Sequence, residues 1–232
     1  MRKGGEKKMR WLILLTAVVL AASSQVCAQC VVVNGDWATG DETGWTRWMA
    51  PWGTGNWAVT NNGPTPPEGT AFLNAGQAGS FGWYQMIDCC QGVAGTCTLT
   101  ADWSGDVSAP GWAEVMFFCI DATASHDDIV ARIDGGSAAD IAFKKDGWGL
   151  NPPDVWDWEC ARLSPHGNGG VIDCCLPGQA AVIALKLGAN PAAANVTCSW
   201  DNICVQSDCI PEPAGLIALF AGIGGMLIRR RR

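Results

Sequence analysis

Histidine and tyrosine are nearly missing from this chain, which has 2 His and 1 Tyr among 232 residues. Chemistry that leans on several imidazoles, whether metal ligation or relayed proton transfer, has little to draw on. Charge is scarce too: Asp, Glu, Lys and Arg make up 16% of the residues, against roughly 25% in ordinary soluble domains. Bases are the rarer sign, 15 against 22 acids for a formal net charge of -7. A nucleic-acid binder needs the opposite balance to neutralise phosphates. No G-x-S-x-G, H-E-x-x-H or Walker pattern is present either, so the local signatures of common hydrolases and nucleotide enzymes are absent.

Glycine (29), tryptophan (13), cysteine (12) and proline (12) are what the chain has in quantity. So much Trp and Cys does not fit intrinsic disorder, and the length suits one ordinary domain. Residues 1–28 read as a secretory signal: Arg2, Lys3, Lys7, Lys8 and Arg10, an apolar stretch from Trp11 to Ala22, then Val26-Cys27-Ala28 before a cut ahead of Gln29. That twelve-residue, largely apolar stretch is too short for the roughly 20 residues that a spanning helix needs. At the other end, Pro211-Glu212-Pro213 is followed by fifteen uncharged, mostly apolar residues and then Arg229, Arg230, Arg231 and Arg232.

These three parts, in this order at the chain end, resemble the PEP-CTERM sorting signal. The resemblance implies recognition of Pro-Glu-Pro by an exosortase-type membrane transpeptidase and delivery to the surface or exopolysaccharide matrix of a Gram-negative bacterium. The apolar segment is expected as a short transmembrane helix whose arginines stay on the cytoplasmic side. Three segments follow: a signal peptide at 1–28, a working domain at 29–210 and a sorting signal at 211–232. Most of the bases sit in the two addresses, which leaves the working domain with 6 basic and 20 acidic side chains. That balance disfavours nucleic acid and anionic membranes.

The domain retains Cys30, Cys89, Cys90, Cys97, Cys119, Cys160, Cys174, Cys175, Cys198, Cys204 and Cys209. In an exported chain these are disulfide candidates, and the odd count leaves one over. If the first and last strands are neighbours, Cys30 meets Cys204 or Cys209. Short apolar runs broken by Gly, Pro and Asn predict strands near 31–33, 57–60, 70–73, 80–87, 96–103, 112–120, 129–133, 155–163, 170–173, 180–187 and 196–205. Few segments have helical apolar spacing, so the fold class is all-β and the architecture a sandwich. Ile87-Asp88-Cys89-Cys90 and Ile172-Asp173-Cys174-Cys175 echo one another, and predict two similar hairpins.

Asn34-Gly35-Asp36-Trp37 with Gly44-Trp45, then Trp83 to Asp88, Gly95 to Trp103 and the closing Ser199 to Val205 together resemble galactose-binding-like jelly rolls, the fold of many carbohydrate-binding modules. That family often carries a structural calcium near its first and last strands. Ala38 stands where an acidic ligand is expected, leaving Asp36, Asp41 and Asp201 as the candidate set, with Glu42 nearby. Sugar binding needs exposed flat aromatic faces beside polar groups. Trp45, Trp48, Trp52 and Trp57 crowd a Gly- and Pro-rich stretch. Trp48, Trp52, Arg47 and Asn56 are the candidate polysaccharide contacts, whereas Trp45, Trp103 and Trp200 are expected in the core, and Trp156 and Trp158 on one strand face. His126, Asp127 and Asp128 form the one dense polar knot, the only foothold for the alternative of a glycan-active hydrolase. The reading is a non-catalytic surface or matrix protein.

Overall fold

The computed structural model describes residues 30–61, 66–89, 94–107, 111–147, 154–190 and 195–209. The signal segment, the sorting motif with its arginines, Cys90 and the side chain of Cys209 lie outside the described residues. Eleven strands form two antiparallel sheets: β1 (Thr46–Met49), β2 (Asn56–Thr60), β3 (Glu68–Leu73), β4 (Gly79–Ile87), β5 (Gly95–Asp106), β6 (Gly111–Asp121), β7 (Ile141–Asp146), β8 (Val155–Cys160), β9 (Val171–Asp173), β10 (Gln179–Ala189) and β11 (Val196–Cys209). The front sheet has the order β1-β4-β10-β6-β7; the back sheet has β2-β3-β11-β5-β8, with β9 also on β5. Mostly strand and closed face to face, this is the expected β-sandwich.

Alternation along the strands builds the core, because successive side chains of a strand face opposite ways. Phe81, Trp83 and Ile87 of β4, Ala113, Val115 and Phe117 of β6, and Ile183, Leu185 and Leu187 of β10 meet Leu99, Ala101 and Trp103 of β5 and Trp200, Ile203 and Val205 of β11. Trp45, Trp103 and Trp200 are all buried, and Trp156 packs on Trp103 at 5.4 Å between ring centroids. Trp158 is half-buried.

The 34–45 signature turns out to be a self-bonded loop that inserts two indoles between the layers. The Asn34 side chain accepts from the Thr39 N–H and donates to the Asp41 carbonyl, and the Trp45 indole N–H donates to the Asn34 carbonyl. Trp37 then stacks on Trp45 at 5.4 Å and 12°. Gln85 of β4 fastens the loop, accepting from the Val33 N–H and donating to the Val33 and Gly44 carbonyls. Gly69 is required beneath this stack, since a Cβ there would collide with the Trp37 ring.

One segment read as a strand, 129–133, lies in the helix α1 (His126–Asp134). Ser125 caps it, and Asp128 reaches back to the Ser125 N–H to complete a capping box. Ile129 and Ile133, four apart and therefore on one helical face, are buried against Tyr84, Met116, Phe118, Val182 and Ala184 on the outside of the front sheet. The acidic knot is thus the first turn of a helix, where carboxylates are favoured. The sequence pattern also overlooked the edge strands β1 and β7. Residues 31–33 form no strand, although the Val31 N–H bonds the Val205 carbonyl.

The two Ile-Asp-Cys-Cys segments are not hairpins. Each is a crossing between layers: β4 in front leads to β5 behind, and β9 behind leads to β10 in front. A disulfide sits at each crossing, Cys89–Cys97 and Cys119–Cys175. Both tie the front sheet to the back.

Candidate ligand-binding face

The outside of the front sheet carries polar rows that cross all its strands. Register pairs Trp48 with Gly82, Gly82 with Lys186, Lys186 with Glu114, and Glu114 with Lys144. The next row toward the sheet end runs Ser80, Gly188, Trp112 and Asp146. Trp112 lies flat over Gly188, where any Cβ would strike its ring. Helix α1 covers the rows on the other side, so the open part of this face starts at the helix C-terminus.

Lys186 and Glu114 are buried there as an ion pair of 3.1 Å. Lys186 also donates to the Ile133 carbonyl at 3.1 Å, which satisfies an orphan acceptor of the last helical turn. Lys144 bridges Glu114 at 3.5 Å and Asp146 at 3.4 Å. A low-dielectric, hydrogen-bonded cation between two carboxylates holds geometry well.

Trp52 stands at the rim of this face. It is 55% exposed, and among the described residues the other tryptophans are buried or half-buried. Its indole N–H donates to Asp134 Oδ2 at 3.2 Å, fixing the ring against the end of α1. Backbone bonds from Ala50 to Ser80 and from Thr54 to Ala78 fasten the loop that carries it.

The other candidate contacts do not gather around Trp52. Trp48 is 1% exposed, with its indole N–H on the Leu185 carbonyl, so it offers no free ring face. Arg47 points to the opposite side of β1, as strand alternation requires; it pairs with Glu42 at 2.7 Å and lies over the Trp57 ring at 5.1 Å. Asn56 is spent on the Phe72 carbonyl and Gln77. The missed residues are Lys186, Glu114 and Lys144, separated by tens of positions in sequence and joined only by sheet register.

The calcium candidates are likewise dispersed. Asp41 accepts from the Thr39 hydroxyl and the Thr43 N–H, bonds that hold its carboxyl below the usual range. Asp36 accepts from the Ala38 N–H, and Asp201 is buried in β11 accepting from the Asn202 N–H. Among the described residues no three His, Cys, Asp or Glu side chains converge in a metal-holding group. Asp36, Asp41 and Asp201 therefore do not form a shared carboxylate cluster. His126, from the polar knot, meets the Tyr84 hydroxyl at 3.0 Å, and burial pushes that phenol up.

No protein-family model matches the chain, and no curated protein matches it. Among solved structures, TmCBM61 in complex with β-1,4-galactotriose is similar at 11% identity and a TM-score of 0.43, over 77% of this chain and 98% of that one. A structure described as CBM4 is similar at 12% identity and a TM-score of 0.37, over 72% and 96%. The enzymatically active domain of bacteriophage CBA120 tailspike protein 4 gives 11% and 0.44, over 76% of this chain. This chain spans only 21% of the tailspike chain.

Proposed function

We propose that this protein is an exported, non-catalytic component of the cell surface or exopolysaccharide matrix, sorted through its C-terminal Pro-Glu-Pro signal, and that it binds polysaccharide at Trp52. The observation that carries the binding role is the exposed indole fixed by Asp134 at the rim of an otherwise polar sheet face. A pyranose C–H face stacks on such a ring while its hydroxyls find carboxylate and ammonium partners. Two disulfides that join the sheets fit an oxidising compartment outside the cytoplasm.

Electrophoresis through gels containing acidic and neutral polysaccharides, backed by a glycan array, tests binding. Retention by at least one glycan is expected, weakened about tenfold in Trp52→Ala, or about 1.4 kcal/mol. Equal retention of the variant would remove Trp52 from the site, and new reducing ends in the incubated oligosaccharides would reassign the protein as a hydrolase. Sorting has its own test. Cells expressing Glu212→Ala are expected to keep the protein in the membrane fraction, and unchanged release would end the sorting assignment.

A further inference from the structure

The two disulfides leave Cys30, Cys160, Cys174, Cys198 and Cys204 as thiols among the described residues. They differ sharply in surroundings. Cys198 is buried, and burial pushes its thiol well above the usual range, which makes it inert. Cys160 is exposed on β8, opposite Asp102 of β5. Cys174 follows β9 and bonds the Gly95 carbonyl through its backbone N–H. Gly95 and Asp102 are seven residues apart on β5, about 23 Å of strand, so Cys174 and Cys160 cannot meet each other.

Cys30 and Cys204 are a different case. The chain before the signature loop runs beside β11: the Val31 N–H donates to the Val205 carbonyl at 3.2 Å and the Ile203 N–H to the Gly35 carbonyl at 2.9 Å. These two bonds hold residues 31–35 against 203–205. The Cys30 thiol reaches the Ile203 carbonyl at 3.8 Å, one residue from Cys204. Both sulfurs border a shallow concavity of about 350 Å³, shared with Val32, Asn34, Asp36 and Asn202.

We propose that Cys30 and Cys204 are a site of oxidation, joined in the exported protein by a disulfide that closes the domain from its first described residue to its last strand. The backbone pairing brings the two stretches together, as a bridge requires. The order of events follows from exposure. Cys204 is half-buried and its thiol is pushed up to about 12, by desolvation first and by Cys30 second. Cys30 is exposed, so it is the thiol that meets an oxidant.

The oxidant class is a protein disulfide of the thiol-exchange type. The Cys30 thiolate attacks one sulfur of that disulfide, forming a mixed disulfide and expelling the other sulfur as a thiolate. Cys204 then gives up its proton and attacks the Cys30 sulfur, which releases the second oxidant sulfur. The two cysteines lose two protons and two electrons, and the oxidant disulfide becomes a dithiol by gaining them.

The test maps thiols in the full chain expressed with export. The protein is denatured without reductant, alkylated, digested and analysed by mass spectrometry. Expected is a linked peptide pair containing Cys30 and Cys204, with neither residue alkylated. In Cys30→Ser, Cys204 becomes alkylated while Cys89, Cys97, Cys119 and Cys175 stay protected. Alkylation of both Cys30 and Cys204 in the parent, with those four protected, overturns the proposal, because the sample was then oxidised and this pair was not. A linkage of either residue to any other cysteine overturns it as well, as does a Cys204 that remains protected in Cys30→Ser.

Discussion

Trp83→Ala is expected to destabilise the sandwich by about 3–5 kcal/mol. Trp83 is fully buried on β4 and touches indoles from two other parts of the chain: Trp37 of the signature loop at 5.2 Å and 64°, and Trp200 of β11 at 6.2 Å and 85°. It therefore joins front sheet, back sheet and loop at one point. Edge-to-face aromatic pairs add about 0.5–1.5 kcal/mol beyond the area they bury. One effect works the other way. The Trp83 indole N–H is buried without an acceptor, and removing it returns about 1 kcal/mol. The cavity still dominates, since a Trp-to-Ala change deletes an entire bicyclic ring from a close-packed interior. Urea unfolding gives the number, as a lower midpoint with unchanged slope. A loss under about 1 kcal/mol would mean that the indole cluster repacks freely, contrary to the close-packing principle. Trp52→Ala is the control from the surface, expected within about 0.5 kcal/mol of the parent.

The second large effect is asymmetric. Glu114→Leu removes the carboxylate that faces Lys186 at 3.1 Å and Lys144 at 3.5 Å. Lys186 is then left as a buried ammonium held by the Ile133 carbonyl, and breaking such a pair costs about 3–5 kcal/mol. Lys186→Met leaves Glu114 with Lys144 still beside it, so a smaller loss of about 1–3 kcal/mol is expected. The double variant Glu114→Leu with Lys186→Met replaces the pair by apolar groups and is expected to recover most of the loss. A double-mutant cycle in urea measures all three. If the two single losses were equal, or if they simply added in the double variant, the pair would not be the buried couple described above. Because Lys186 also holds the last turn of α1, and Asp134 of that turn holds Trp52, Lys186→Met is a way to loosen the Trp52 indole without touching it.

Much of the interior was readable from sequence patterns. Trp45 of the Gly-Trp pair, Trp103 and Trp200 were expected inside and are inside, because large apolar rings facing the other layer have few other places to go. The helix was misread because Ile129-Val130 and Ile133 look β-branched and short. Its true signal was the Ser125 to Asp128 capping box, which shares its residues with the His126-Asp127-Asp128 knot. The hairpin reading failed for another reason: the echo at the double cysteines fixes local conformation but says nothing about which sheet the next strand joins. The functional side chains show the same limit. Arg47 and Trp48 are adjacent in sequence and were grouped for that reason, yet the pleat sends them to opposite faces. Lys186, Glu114 and Lys144 meet only through pairings of β10 with β6 and of β6 with β7, and no spacing along the chain announces that.

β11 is the strand that leads in sequence to Pro211-Glu212-Pro213, and it lies inside the back sheet, bonded to β3 on one side and β5 on the other. A pull on its C-terminal end would run along the strand, so the hydrogen bonds to β5 between residues 197 and 209 would be loaded together in shear instead of opening one at a time. Traction on a domain held at that end would be met by a strand paired on both sides, whereas an edge strand would peel from a single partner.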